Sequence, residues 1–129
     1  MIEMLIVTRN RNDFYELADV FSKNDLQISW AESGEEALSL IRSQNVQLVI
    51  ADEHFFDMTG VELIEKLVLL NPMICCAAVS SLSEEDFHEA SEGLGILMQL
   101  PVCPKKEDAD KLFKYFKKIS EISKPLSRK

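Results

Sequence analysis

Asp52 closes the apolar run Leu48-Val49-Ile50-Ala51, and the residues after it, Glu53 to Gly60, turn the chain toward a helix. A run without polar-apolar alternation fits a parallel strand covered on both faces, which puts the Asp52 carboxylate at the strand's carboxyl end. In an open parallel sheet, ligands and chemistry gather at that edge, because the loops there vary freely above a rigid scaffold. The bland alternative is an aspartate that merely caps a turn or the next helix.

Short apolar runs alternate with segments of 3.6-residue period, which predicts five βα pairs. The first strand is Met4 to Val7. The helix after it carries Phe14, Leu17, Ala18 and Phe21 inward, with Asp13 or Asn12 available as its cap. Leu26 to Trp30 alternates and suits an edge strand. Ser33 with Glu36 then forms a capping box for a helix bearing Ala37, Leu38 and Ile41, closed by Asn45. A third helix, from about Val61 to Leu70, turns Leu63, Ile64, Leu67 and Leu70 inward. Ser83 and Asp86 cap a fourth helix that stops at Gly93. Ile96 to Leu100 is the fifth strand. The last helix, from about Lys106 to Ile122, sets Leu112, Phe113, Phe116 and Ile119 on one stripe. The implied fold is α/β, a doubly wound, flavodoxin-like (βα)5 with a five-stranded parallel sheet in the order 2-1-3-4-5, whose crevice lies where the first and third strands end.

A chain of 129 residues with 47% hydrophobic content is the size of one domain with one core. We expect that domain to span residues 1–122, with 123–129 as a tail or the start of a linker. The net charge of -8 argues against nucleic-acid binding. That charge is uneven, because nine of the fourteen Lys/Arg residues lie from Lys105 onward, on the last helix and beyond. Neither a signal peptide nor a membrane span is expected at the N-terminus, and Cys75, Cys76 and Cys103 form no metal-type pair, which suits a cytoplasmic protein. Buried free thiols are the default reading, with Cys103, between Pro101 and Pro104, the one thiol open to reactivity. His54 and His88 lie too far apart in this topology to share a metal. There is no P-loop, nucleophile elbow, GxGxxG or HExxH, so no independent enzyme and no cofactor is indicated.

The chain resembles the receiver domains of two-component response regulators (CheY-like). Asp52 stands at the family's phosphoacceptor position, Gly60 supplies the glycine eight residues later, Ser80 stands where a hydroxyl hydrogen-bonds the phosphoryl group, and Gly93 fits the glycine ending the fourth helix. Other positions depart from the pattern. The acidic pair that holds magnesium after the first strand is replaced by Thr8 and Arg9. The lysine before the proline at the end of the fifth strand is replaced by Leu100, and the aromatic switch residue by Leu97. Only Asp52 and the backbone carbonyl of His54 remain as magnesium candidates, so affinity is expected to be poor.

Phosphoryl transfer depends on positioning and on cations that neutralise the transferring oxygens, and losing one such stabilising group commonly costs roughly a hundred- to thousandfold in rate. The resemblance therefore implies a degenerate receiver-like module acting mainly by protein contact, with Asp52 phosphorylated weakly or not at all. The alternative is a conventional phosphoacceptor served by a histidine kinase. A flavodoxin-like cofactor binder is poorly supported, because TRNRND is not a phosphate-wrapping loop. The implied partner is a histidine kinase or downstream effector, met through the face of the fourth helix, fifth strand and fifth helix, with a homodimer also open and no membrane contact. Two further expectations concern the pocket. Arg9 could reach Asp52 as a built-in counterion, or else point to solvent, and Phe55 and Phe56 could cover the pocket or anchor a partner. Trp30 should pack at the edge of the sheet.

Overall fold

The computed structural model describes residues 2–123. Five strands, β1 (Ile2–Val7), β2 (Leu26–Ala31), β3 (Val46–Ala51), β4 (Cys75–Val79) and β5 (Met98–Leu100), alternate with α1 (Tyr15–Lys23), α2 (Gly34–Ser43), α3 (Gly60–Leu70), α4 (Glu84–Ala90) and α5 (Lys106–Ser123). All pair in parallel in the order β2-β1-β3-β4-β5, as the alternation predicts. The tail expected at 123–129 lies, from residue 124 on, outside the described residues. No described helix is long and apolar enough to cross a membrane.

The lack of alternation in β1 and β3 has a direct packing cause. Leu5, Val7, Val49 and Ala51 face the layer made by α2 and α3, with Leu38, Leu63, Ile64 and Leu67. Met4, Ile6, Leu48 and Ile50 face the layer made by α1 and α5, with Leu17, Phe21, Leu112 and Phe116. Both sets are fully buried, and side chains of such size contribute about 1.5–3 kcal/mol each when removed from water. The central strands thus give a rigid platform from which Val7 and Ala51, paired in register, deliver Thr8 and Asp52 side by side.

Local signals set the helix starts. The Ser33 hydroxyl accepts from the Glu36 N–H at 3.1 Å, and the Glu36 carboxylate accepts from the Glu32 N–H rather than from that of Ser33. Thr59 and Glu62 form a full capping box, so α3 begins at Gly60, one residue before the expected start. Ser83 accepts from the Asp86 N–H at 3.1 Å, as expected. The expected cap of the first helix does not form. Arg11–Phe14 is a 3-10 turn and no side chain caps α1; Asp13 instead accepts from the Asn10 side chain at 3.2 Å. Gln44, not Asn45, ends α2. Strands β4 and β5 are each two residues shorter at their starts than the apolar runs suggest. Leu70 and Ile119, expected inward, are exposed because each lies in the last turns of a helix, beyond the sheet it covers. Trp30 is half-buried on β2, with the Tyr15 ring edge-on at 6.3 Å and the Arg11 guanidinium 5.0 Å from its centroid.

Candidate functional site

Thr8 is held at 1% exposure because it continues β1 into the crevice, its N–H bonded to the Ala31 carbonyl. Its hydroxyl donates to Asp52 Oδ2 at 2.7 Å and accepts from the Asn10 N–H at 2.9 Å. The other carboxylate oxygen, Oδ1, accepts from the Glu53 N–H at 2.7 Å, while the Asp52 N–H is bonded to the Val7 carbonyl. Both oxygens of Asp52 therefore have partners within the chain. Gly60 is fixed by the same corner: a Cβ there would collide with the Asp52 carbonyl oxygen, and its N–H bonds the Glu53 carbonyl at 3.0 Å.

A second set of bonds lies one step along the sheet. One oxygen of Glu53, Oε2, accepts from the Ser81 N–H at 2.8 Å, the Ser81 hydroxyl at 2.9 Å and, more loosely, the Ser80 hydroxyl at 3.5 Å. Partial burial pushes the Glu53 carboxyl up, but the Ser81 N–H and hydroxyl, His54 and Ser80 together outweigh it and hold the group below its ordinary range. Asp57 pins the far end of the β3–α3 loop, accepting from the Gly34 and Glu35 N–H groups at 3.0 Å each at the start of α2. These two bonds outweigh desolvation and lower its pKa as well. Among the described residues, no buried side-chain polar atom is left without a partner.

This corner, an aspartate between the ends of β1 and β4 in a 2-1-3-4-5 sheet, is matched by the family description "response regulator receiver domain" over residues 5–117. The chain belongs to the receiver-domain family. It is 30% identical over 101 residues to a response regulator receiver protein of Anaeromyxobacter, covering 78% of this chain and 42% of that one. It is 27% identical over 81 residues to sporulation initiation phosphotransferase F of Bacillus subtilis, covering 63% and 65%. The chain thus spans less than half of the first relative and about two thirds of the second. A CheY-like receiver from Methanospirillum hungatei superposes with a TM-score of 0.82 at 18% identity, over 95% of this chain and 99% of that one, a likeness of fold.

Within this receiver, Thr8, Asp52 and Ser80 meet at one corner, Ser80 through Glu53. Arg9 does not join them: it is exposed, and the single ion pair among the described residues is Lys23 with Asp19. The threonine hydroxyl takes the place at Asp52 that a counterion from Arg9 would have filled. Leu100 is wholly buried in the α1/α5 layer, so its side chain serves the core while its carbonyl accepts from the Ser80 N–H at 3.0 Å. Leu97 packs against the same layer. His54 is exposed and bridges Thr59 across the loop. Phe55 and Phe56 part company: Phe55 is buried in the α2/α3 layer, and Phe56 is 79% exposed, so neither covers Asp52 as expected. The chain turns directly after Phe55, whose N–H bonds the Met58 carbonyl at 2.8 Å, so the two rings do not act together.

The donor set here does not fit magnesium. A hard dication wants several oxygen ligands, and near Asp52 the chain offers a neutral threonine hydroxyl whose hydrogen is committed to the carboxylate, while the neighbouring Glu53 carboxylate is bonded to Ser80 and Ser81. Among the described residues there is no group of three or more His, Cys, Asp or Glu able to hold a metal. Two participants escaped the sequence reading. Glu53 was legible only as the neighbour of Asp52, and its reach to a serine pair 28 residues away depends on the β3–β4 register. Asp57 is a helix cap supplied from another loop, for which local sequence carries no signal.

Proposed function

We propose that this receiver domain signals mainly by protein contact, with phosphorylation of Asp52 weak or absent. The observation that carries the reading is that Asp52 is held by two uncharged donors, the Thr8 hydroxyl on one oxygen and the Glu53 N–H on the other, with no ion pair to it among the described residues. Phosphoryl transfer to a carboxylate depends on cations that neutralise the charge that develops on the transferring oxygens. Thr8 and Leu100 supply no such charge, and Arg9 is directed to solvent. The partner, a histidine kinase or a downstream effector, fits the α4–β5–α5 face. A groove of about 950 Å³ runs there between the acidic α4, with Glu84, Glu85 and Glu89, and Lys111 and Tyr115 of α5. A homodimer could use the same face.

Magnesium titration followed by amide NMR tests the reading. At 10 mM Mg²⁺ the Glu53 and Asn10 amides of the wild type should hold their positions, whereas a Thr8→Asp/Arg9→Asp variant should shift them saturably. A saturable response in the wild type would favour the second reading, a conventional phosphoacceptor.

A further inference from the structure

Three donors converge on a single oxygen at the end of β4. The Ser81 N–H, the Ser81 hydroxyl and the Ser80 hydroxyl all point to Glu53 Oε2, at 2.8, 2.9 and 3.5 Å. Convergence of a backbone N–H with hydroxyls on one negatively charged oxygen is how proteins hold oxyanions, and such charge-assisted bonds are stronger than neutral ones. The resemblance already makes the end of β4 the phosphoryl-oxygen cradle; we propose that in this chain Glu53 is the resident ligand of that Ser80–Ser81 cradle, filling from within the chain the place open to an oxygen of a phosphoryl group on Asp52. The proposal deepens the reading above and rests on its assignment of Asp52 as the acceptor position.

Geometry places the cradle beside Asp52. Ala51 pairs with Ala78, so continuing that register sets Asp52 by Val79 and Glu53 by Ser80. Glu53 serves both sides of the corner, its N–H holding Asp52 Oδ1 and its side chain holding the serines. A phosphoryl group on Asp52 would meet a carboxylate already bonded to those donors and repelling it by charge.

The cradle does not depend on Glu53 for its shape. Gln99 on β5 donates to the carbonyls of Leu82 at 2.9 Å and Ser80 at 3.4 Å. The Ser80 N–H is bonded to Leu100, and the Ser80 hydroxyl accepts from the Leu82 N–H at 3.1 Å. With the loop held from the other side, removing the Glu53 side chain leaves a preformed set of donors facing the crevice. Glu53 is thus a specificity residue that closes the cradle to outside anions.

The test is titration with inorganic phosphate, followed by the amide resonances of Ser80, Ser81 and Leu82, in the wild type, Glu53→Ala and Glu53→Gln. In Glu53→Ala these amides should shift saturably, with an affinity on the order of tenfold or more above that of the wild type. Glu53→Gln, which keeps the shape and drops the charge, should lie between the two. Adding Ser80→Ala and Ser81→Ala together to Glu53→Ala, which removes both hydroxyls and leaves the Ser81 N–H, should weaken the response. A Glu53→Ala protein that takes up phosphate no better than the wild type overturns the proposal, as does a response left undiminished when both serine hydroxyls are removed. No phosphoryl transfer occurs in this titration, so its failure is separate from failure of the contact-module reading.

Discussion

Replacing Thr8 with valine removes one hydroxyl and changes the shape of the side chain little. Two bonds go with it: the 2.7 Å donation to Asp52 Oδ2, and the 2.9 Å acceptance from the Asn10 N–H. A hydrogen bond to a charged group contributes about 1.5–3 kcal/mol net. The exposed Asn10 N–H can turn to water, so its loss costs little. Against this, the added methyl lies at a site 1% exposed and gains about 0.8 kcal/mol of burial. The net expectation is a loss of about 1–2 kcal/mol, or a fall in Tm of about 3–8 °C for a domain of this size. Urea unfolding at pH 7 should show the midpoint fall with the slope unchanged, since the surface exposed on unfolding is the same. Asp52→Ala removes the partner, so in that background Thr8→Val should cost at least about 0.5 kcal/mol less. A Thr8→Val protein as stable as the wild type, or equal costs in the two backgrounds, would refute the claim that Thr8 holds the Asp52 carboxylate.

Gly60→Ala should destabilise the fold by about 1–3 kcal/mol, because its Cβ must displace the Asp52 carbonyl; chemical denaturation checks this, and a neutral result would contradict the close approach. The Glu53 carboxyl is held below its ordinary value of 4.5, so its contacts with Ser81 contribute stability above that pH and should be lost as pH falls through the lowered value. The Ser81 amide shift should therefore stay constant from pH 7 to 5 and move only at lower pH; a transition near neutrality would be inconsistent with that assignment. Burial and the neighbouring Cys75 push the Cys76 thiol up to about 12, and burial raises Cys75 too. Iodoacetamide at pH 8 should alkylate the exposed Cys103 first and spare Cys76 until the protein is unfolded, with peptide mapping as the readout.

The strand order and both core layers were legible because β1 and β3 read as unbroken apolar runs and the helices kept a strict period. Helix starts were legible where a cap is local in sequence, as at Ser33 and Ser83, and the Thr59–Glu62 box was equally readable but passed over. The first helix misled because Asn12 and Asp13 have the chemistry of caps but fall inside a 3-10 turn. At the site, the strand-end position pointed to Asp52, while Ser80, and Thr8 as a departure from the pattern, were legible only through the resemblance to the receiver family. Side-chain direction did not follow. Thr8 and Arg9 are neighbours where the chain leaves β1, and the buried place beside Asp52 went to the uncharged residue, whose hydroxyl is satisfied by hydrogen bonding alone, while Arg9 is exposed. Glu53 was hidden for a related reason, since its partners come from a different strand.

Intact mass after incubation with acetyl phosphate and Mg²⁺, run beside an Asp52→Asn control, tests the central claim most directly. The bonding at Asp52 through uncharged donors alone predicts little or no adduct on the wild type, in a protein shown by circular dichroism to be folded. A wild type converted largely to the phosphoryl adduct, with none on Asp52→Asn, would contradict it and establish Asp52 as a working acceptor.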